Sequence, residues 1–113
     1  MVRQLTQQEL NYIANNYIVS KHAIDRLRER FYASKSKVKD SIIHSGLAYI
    51  NTDGSINIRL NNTEYYYVFV KNNNLYKMIT CKHPSDNGYT LQQKFELAMK
   101  GIKYFHNPID KSM

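Results

Sequence analysis

The sequence predicts an α+β protein, in which helices and an antiparallel sheet occupy separate parts of the chain. Apolar residues recur at helical spacing up to about residue 45, alternate with polar residues from about 47 to 82, and return to helical spacing after residue 90. We therefore expect N-terminal helices, a four-stranded antiparallel β-meander and a C-terminal helix. The 113 residues fit one domain, with its core at about 6–104 and a flexible tail at 105–113.

Two helices are predicted before residue 32. The first begins at Thr6, which forms a capping-box pattern with Glu9, and its apolar positions extend at helical spacing to Tyr17. Asn15 and Asn16 weaken the helix near its end and indicate a stop there. The second begins after Ser20, a favourable N-cap residue, and extends to about Phe31. Its apolar stripe consists of Ala23, Ile24, Leu27 and Phe31.

A third and a last helix flank the predicted sheet. The third is capped by Ser34 or Ser36 and ends near residue 45. The last is capped by Thr90 and extends to about residue 105, or ends earlier at Gly101, with Leu91 and Phe95 on its inner side. Since both patterns are amphipathic, we expect each helix to pack one side against the sheet.

Four strands are predicted, at 47–51, 55–60, 64–71 and 75–82. The dipeptide Asp53-Gly54 is a strong hairpin signal between the first two, and asparagine-rich segments make the other turns. The third strand is apolar or aromatic on both faces, so we expect it at the centre of the sheet. The first strand, LAYIN, is expected at an edge, so the chain is predicted to be a monomer or a homodimer paired through that strand.

Composition indicates the class of partner and the compartment. The formal charge of +7 and the sequence pI of about 9.5 favour a polyanion, and we expect nucleic acid, RNA above all, or an acidic host protein. Cys81 is the single cysteine, so no internal disulfide can form. Without a signal peptide or an apolar run of the ~20 residues that span a bilayer, we expect a cytoplasmic protein with no membrane partner. The four histidines lack ligand spacing, so no metal or other cofactor is expected.

One short motif carries a resemblance. The segment KHAIDRLRERF places His22, Arg26 and Arg30 four residues apart on one side of the second helix. With the meander that follows, it resembles the small H-A-x-x-R-x-x-x-R domains of the barnase–EndoU–colicin–RelE ribonuclease-like fold, which are common in phage, plasmid and toxin modules. The resemblance covers about 18–83 and ends on a polar cluster, TCKH, at 80–83. The C-terminal helix departs from the pattern, because it would cover the sheet face on which RNA lies.

These residues suit metal-independent RNA cleavage, which needs proton transfer to and from the reacting oxygens and charge that stabilises the phosphate. His22 suits the proton transfer, and Arg26 and Arg30 suit the phosphate, because a guanidinium donates two parallel hydrogen bonds. Lys82 and His83 would supply the partner acid or additional charge. The resemblance implies this cleavage, with a cyclic phosphate product. We expect His22, Arg26 and the end of the last strand to meet in one pocket open to solvent.

Further residues are candidates for contact with nucleic acid. Cationic side chains of the second and third helices would bind phosphates, and tyrosines of the third strand would stack on bases. The candidates are Arg28, Lys35, Lys37, Lys39, Tyr65 and Tyr67. Each also has a structural interpretation, as a solvated surface charge or a core aromatic residue. The same holds for the catalytic candidates, since arginines pair with nearby carboxylates and His83 precedes Pro84 in a loop.

Two functions of different classes follow from these observations. One is a small basic RNA-directed protein of ribonuclease-like fold, acting as a toxin-like, metal-independent endoribonuclease. The other is a non-enzymatic interaction protein, encoded by a phage or plasmid, that binds a host protein or nucleic acid through the same basic surface. A helix-turn-helix regulator is disfavoured, because no recognition helix with that spacing is present.

Overall fold

A computed structural model describes residues 1–30 and 35–102, without the side chains of Arg30, Lys35 and Ser36. The predicted helix end at Phe31, the cap at Ser34 and the tail at 105–113 lie outside the described residues. In chain order the helices and strands are β1 (Arg3–Gln4), α1 (Gln7–Asn15), β2 (Tyr17–Val19), α2 (Lys21–Arg30), α3 (Lys35–Ile43), β3 (Ala48–Ile50), β4 (Ile56–Arg59), β5 (Tyr66–Asn72), β6 (Leu75–Lys82) and α4 (Leu91–Met99).

The strands of the described chain form one mixed, six-stranded sheet in the order β1-β3-β4-β5-β6-β2. Strands β3 to β6 are consecutive antiparallel neighbours, and β5 lies inside the sheet as predicted. Strand β1 adds to β3 in antiparallel orientation, and β2 adds to β6 in parallel orientation. The α+β class is therefore confirmed, whereas the prediction of a four-stranded, wholly antiparallel sheet was wrong.

Strand β1 covers the strand that was expected at an edge. Arg3 pairs with Ile50 and Gln4 with Tyr49, and the Leu5 N–H continues the contact by donating to the carbonyl of Ala48 at 3.0 Å. The prediction that LAYIN is an edge strand was wrong, because the residues before the first helix occupy that edge. Within the described residues, the edge strands β1 and β2 have two and three residues, so they offer few backbone groups to a second chain.

Tyr17 belongs to β2 and not to the first helix. The helix ends at Asn15, and the Asn16 side chain donates to the carbonyl of Tyr12 at 2.9 Å, a local bond by which asparagine competes with helix continuation. Tyr17 then pairs with Tyr76, and its ring meets that of Phe69 edge-on at 6.2 Å between centroids. The helical spacing of Tyr17 was therefore misleading, because sheet pairing decides the conformation there.

Different helices cover the two faces of the sheet. The face covered by α1, α2 and α3, called the helix face below, holds the larger core. The opposite face, called the α4 face, holds a smaller core in which Leu91 and Phe95 of α4 pack near Tyr66. Strand β5 serves both, since Tyr67 and Phe69 belong to the larger core and Tyr66 to the smaller one. This arrangement confirms a central strand with two apolar faces.

A β-bulge interrupts the alternation of β6. The pairing with β5 shifts by one residue at Ile79. Because of that extra residue, Met78 and Cys81 both point into the core of the helix face although they are three positions apart. The Ser20 hydroxyl donates to the carbonyl of Ile79 at 3.3 Å, so the bulge is joined to the start of α2.

The N-caps predicted for two helices are confirmed. In the capping box of α1, Thr6 Oγ1 accepts from the backbone N–H of Glu9 at 3.1 Å, and Glu9 Oε1 accepts from the backbone N–H of Thr6 at 2.9 Å. At α2, Ser20 Oγ accepts from the backbone N–H of Ala23 at 3.1 Å. These bonds fix where the two helices begin.

Helix α4 begins after its predicted cap, Thr90, and ends at Met99, which agrees with the early end predicted at Gly101 and not with an end near residue 105. Gly101 has a φ of +71°, a left-handed conformation that terminates a helix. Among the helices of the described part of the chain, none has the length and apolar character needed to cross a membrane.

Candidate functional site

His22 and Arg26 lie on α2, beside the stripe that packs on the sheet and includes the fully buried Ala23. His22 is exposed. The Arg26 side chain is 36% exposed, and its Nη1 lies 3.9 Å from Glu29 Oε2, a long and weak ion-pair contact. Such a contact leaves the guanidinium able to bind an external anion. The side chain of Arg30 lies outside the described part of the structure.

His83 caps a short 3₁₀ helix, Pro84–Asp86. Its Nδ1 accepts from the backbone N–H of Ser85 at 3.2 Å, and its own backbone N–H donates to Asp86 Oδ2 at 2.9 Å. The imidazole ring lies 4.6 Å from the ring of Tyr65, which packs against the core of the helix face. His83 is therefore on the same side of the sheet as α2, with Nδ1 engaged in capping and Nε2 left for another contact.

Lys82 lies on the other side of the sheet. Its neighbour Cys81 points into the core of the helix face, so strand alternation turns Lys82 towards the α4 face. There it lines a cavity together with Tyr66 and Lys94. The structure does not bring Lys82 together with His22 and Arg26, so the expected common pocket needs correction at Lys82.

The candidate nucleic-acid contacts divide into three groups. Arg28, Lys37 and Lys39 are exposed, whereas the side chain of Lys35 lies outside the described part. Tyr65 is half-buried against His83. Tyr67 is completely buried beneath the helices, which excludes its ring from stacking on a base. The prediction for Tyr67 therefore needs correction, and core packing explains its position.

The α4 face contains a cavity of about 620 Å³, a volume common for small-molecule sites. It is bounded by the turn between β3 and β4, by the centre of the sheet and by α4. Its polar lining includes Asn51, Asp53, Ser55, Asn57, Lys82 and Lys94. Val2, Val68, Ala98 and Ile102 supply apolar lining. Of the predicted site residues in the described chain, Lys82 lines this cavity and His22 and Arg26 do not.

Lys94 is the most unusual group of this cavity, since it is a lysine with 5% exposure. Its Nζ donates to the hydroxyl of Tyr66 at 2.6 Å and lies 5.1 Å from the centroid of the same ring. Burial lowers the pKa of Lys94 to about 8, with the charge of Lys82 lowering it further and that of Asp86 opposing the change. A substantial fraction of this amine is therefore neutral in mildly alkaline solution.

The turn at the other end of the cavity is held by side-chain hydrogen bonds. Asp53 Oδ1 accepts from the backbone N–H of Ser55 at 2.9 Å and from its hydroxyl at 2.7 Å, and these bonds lower the pKa of Asp53. The Asn51 amide donates to the same hydroxyl at 3.0 Å. The β4–β5 register, which pairs Asn57 with Val68, separates this turn from the lysines by several residues of strand.

Sequence reasoning missed Lys94. The residue was assigned no role, because lysine in an amphipathic helix usually lies on the solvent side. Its spacing offered a signal, since Lys94 is three residues after the buried Leu91 and four before Ala98, positions that share a helix side. The acceptor of its hydrogen bond, Tyr66, comes from a distant strand, so no local pattern predicts the pair.

A second cavity, of about 600 Å³, opens on the helix face. It is lined by residues of α1, β2, α2 and α3, among them Ile18, Ile24 and Lys39. Ile24 was predicted to be in the apolar stripe of α2, but it is 39% exposed at this cavity. Ile24 of α2 and Lys39 of α3 therefore both line one accessible cavity.

The described residues contain no group of three or more histidine, cysteine, aspartate or glutamate side chains placed to hold a metal ion. Two groups of cationic side chains in this part of the chain lie on opposite sides of the sheet: those on the exposed sides of α2 and α3, and those at the cavity of the α4 face. Comparison of the chain with models of protein families, with curated proteins and with solved structures gave no match.

Proposed function

We propose that this chain is a small basic RNA-binding protein whose RNA surface is formed by α2 and α3. The observation that carries the proposal is the distribution of charge. Between residues 21 and 43 the sequence has seven Lys or Arg residues and three carboxylates, so these two helices supply four of the seven net positive charges. Their apolar sides are buried on the sheet, which directs much of this charge towards solvent.

The cationic side chains of α2 fall on two flanks. At about 100° per residue, His22 and Arg26 lie on one flank of the buried stripe, and Lys21 and Arg28 lie on the other. The second flank also carries Ile24, which lines the second cavity together with Lys39 of α3. A strand of RNA that crosses from α2 to α3 would therefore meet guanidinium and ammonium groups of both helices.

Binding without cleavage is favoured by the positions of the titratable groups. Cutting RNA without a metal requires two groups beside one phosphate, one to accept a proton and one to donate it. Lys82, the residue expected to assist His22, lies on the α4 face. His83 has Nε2 alone for a further contact, because its Nδ1 accepts from Ser85. Among the described residues of α2, His22 is left as the group suited to proton transfer near neutral pH.

The proposal is tested by fluorescence anisotropy with a labelled single-stranded RNA of about 12 nucleotides in EDTA, at about 50 to 200 mM NaCl. We expect log K to fall linearly with log salt, by roughly 0.7 for each phosphate contact. Arg26→Gln and Arg28→Gln should each weaken binding about three- to tenfold and reduce the salt slope. Lys71→Gln is the matched control, because Lys71 is an exposed lysine near the end of β5 and belongs to neither helix, and it should bind as the unchanged protein does.

Three other outcomes would change the conclusion. Absence of salt-dependent binding to RNA would reject the proposal, and affinity for an acidic protein in its place would favour the interaction function. Equal binding by Arg26→Gln, Arg28→Gln and the control would show that α2 does not form the RNA-binding surface. If the unchanged protein cleaves the RNA in EDTA and both His22→Ala and Arg26→Ala lose this cleavage, the protein is an endoribonuclease and not a binding protein alone.

A further inference from the structure

Asn57 is a buried polar residue in the lining of the cavity of the α4 face. Its neighbours in β4, Ile56 and Ile58, belong to the core of the helix face, so strand alternation turns Asn57 to the opposite side. The residue is 7% exposed and lines the cavity. It pairs with Tyr49 of β3 on one side and with Val68 of β5 on the other. The sheet therefore holds a side-chain amide at the base of the cavity.

The amide of Asn57 has no hydrogen-bond partner among the described residues. The fully enclosed side-chain atom that lacks a partner in this part of the chain is the Tyr67 hydroxyl, which lies under the helices. The Asn57 amide is not fully enclosed, so it is reached from the cavity. It offers two N–H donors and one carbonyl acceptor there. Because a buried polar group without a partner is unfavourable, a ligand that bonds to this amide would be stabilised.

Two hydroxyls of the same lining are engaged within the protein. The Ser55 hydroxyl donates to Asp53 Oδ1 at 2.7 Å. The Tyr66 hydroxyl accepts from Lys94 Nζ at 2.6 Å. Asn57 differs from both, because its donors and its acceptor are all left to a molecule in the cavity.

The rest of the cavity is suited to the apolar body of a small molecule. Val68, Ala98 and Ile102 offer apolar contact, and the volume of about 620 Å³ lies in the middle of the range of small-ligand sites. An asparagine amide forms two parallel hydrogen bonds with an edge on which a donor stands next to an acceptor, as it does with adenine in DNA. The match requires no charge on the ligand.

We propose that the cavity of the α4 face binds a small organic molecule that carries an amide edge, a hydrogen-bond donor next to an acceptor, on an apolar body. The amide edge pairs with the side chain of Asn57, and the apolar body lies against Val68 and Ala98. This site goes beyond the proposed binding of RNA, since it is on the opposite face of the sheet and shares no residue with α2 or α3.

The test is an NMR titration of the ¹⁵N-labelled full chain with benzamide, with the lactam isoquinolin-1-one and with acetophenone, which has the shape of benzamide but no N–H donor. We expect the two amides to give saturable shifts of the Asn57 side-chain NH₂ and of the backbone amides of Val68 and Ala98. Acetophenone should bind at least tenfold more weakly. Asn57→Leu keeps the size of the side chain and should weaken the binding of both amides at least tenfold. Asn72→Leu, a change at an exposed asparagine at the end of β5 outside the cavity, is the matched control and should not alter it.

The outcomes separate the alternatives. Tighter binding of benzamide assigns the ligand as an open-chain amide, and tighter binding of the lactam assigns it as a cyclic amide. No saturable shift with either amide, equal binding of acetophenone, shifts confined to α2 and α3, or unchanged affinity in Asn57→Leu would overturn the proposal. If Asn57→Leu does not fold, the comparison of benzamide with acetophenone in the unchanged protein decides alone. RNA binding by Asn57→Leu should be unchanged, so the two proposals fail independently.

Discussion

The ammonium of Lys94 donates a hydrogen bond to the hydroxyl of Tyr66 at 2.6 Å, with both side chains almost entirely buried. The same hydroxyl accepts from the Asn87 amide at 3.3 Å. One oxygen on β5 thus joins α4 to the loop that precedes it. Because this oxygen is neutral, the burial of Lys94 is only partly offset, which explains why the pKa of the amine is lowered.

The lowered pKa of Lys94 predicts a change in stability with pH. Below about pH 8 Lys94 is charged in the folded protein, and the burial of this charge lowers the free energy of unfolding. Between about pH 8 and 10.5 the unfolded chain binds more protons than the folded one. Stability should therefore rise through this window relative to Lys94→Met, by on the order of 2 kcal/mol. Urea denaturation of both proteins from pH 7 to 10.5 measures the difference.

Lys82→Met provides the control for this explanation. Lys82 lowers the pKa of Lys94 by repulsion, while Asp86 acts in the opposite direction and Tyr66 accepts the hydrogen bond. Removing the charge of Lys82 should raise the pKa of Lys94 and move the gain in stability to higher pH. A difference between the wild-type chain and Lys94→Met that stays constant with pH would show that Lys94 titrates as an ordinary lysine.

Tyr66 and Tyr67 are adjacent and fully buried, but their hydroxyls differ. No described group accepts from or donates to the Tyr67 hydroxyl with good geometry. The neighbouring Ser41 donates its own hydroxyl hydrogen to the carbonyl of Lys37 at 2.8 Å. Tyr67→Phe should therefore keep or raise stability, by up to about 1 kcal/mol. Tyr66→Phe leaves two buried donors without their acceptor and should cost about 1 to 3 kcal/mol.

Thermal and urea denaturation of the two phenylalanine variants measures this contrast. The pair is well matched, because each variant loses one hydroxyl from neighbouring positions of one strand. Equal losses in both would mean that the Tyr67 hydroxyl has a partner after all. A larger loss for Tyr67→Phe would contradict the role given to Tyr66.

Local patterns predicted the parts of the fold that local interactions determine. The N-caps at Thr6 and Ser20 and the alternation of β5 depend on neighbours within a few residues, and these predictions were confirmed. Tyr17 and Ile79 were not predictable in this way. Tyr17 is held by a parallel pairing with a strand far along the chain, and the bulge at Ile79 is attached to the start of α2. Such contacts exist only once the sheet has formed.

In the candidate site, too, local geometry was predictable from the sequence and the long-range arrangement was not. The spacing of His22 and Arg26 predicted their common position on α2, because helical geometry alone decides it. Whether Lys82 joins them depends on which face of the sheet the strand end presents. The bulge in β6 makes that choice harder to predict, since it shifts the alternation one residue before Thr80. The cavity at Lys94 forms only when the β3–β4 turn, the centre of the sheet and α4 come together, so the sequence could not predict it.

The ion pair between Arg3 and Glu9 predicts a loss of stability in acid. Two bonds from the guanidinium, at 2.6 and 2.8 Å, lower the pKa of Glu9 to about 2 and join β1 to α1. A carboxylate with a depressed pKa stabilises the fold above its unfolded pKa of about 4.5, and this contribution is lost as pH falls towards 2. Because 35% of the Glu9 side chain is exposed, solvent screening limits the effect to about 1 kcal/mol.

Glu9→Gln should therefore be less stable than the wild-type chain at pH 7, and urea denaturation followed by circular dichroism should find the difference shrinking between about pH 5 and 2.5. Glu64→Gln, a change at an exposed carboxylate before β5, controls for loss of charge alone. A gap that persists unchanged at pH 2.5 would assign the effect of Glu9 to its hydrogen bond with Thr6 and not to its charge.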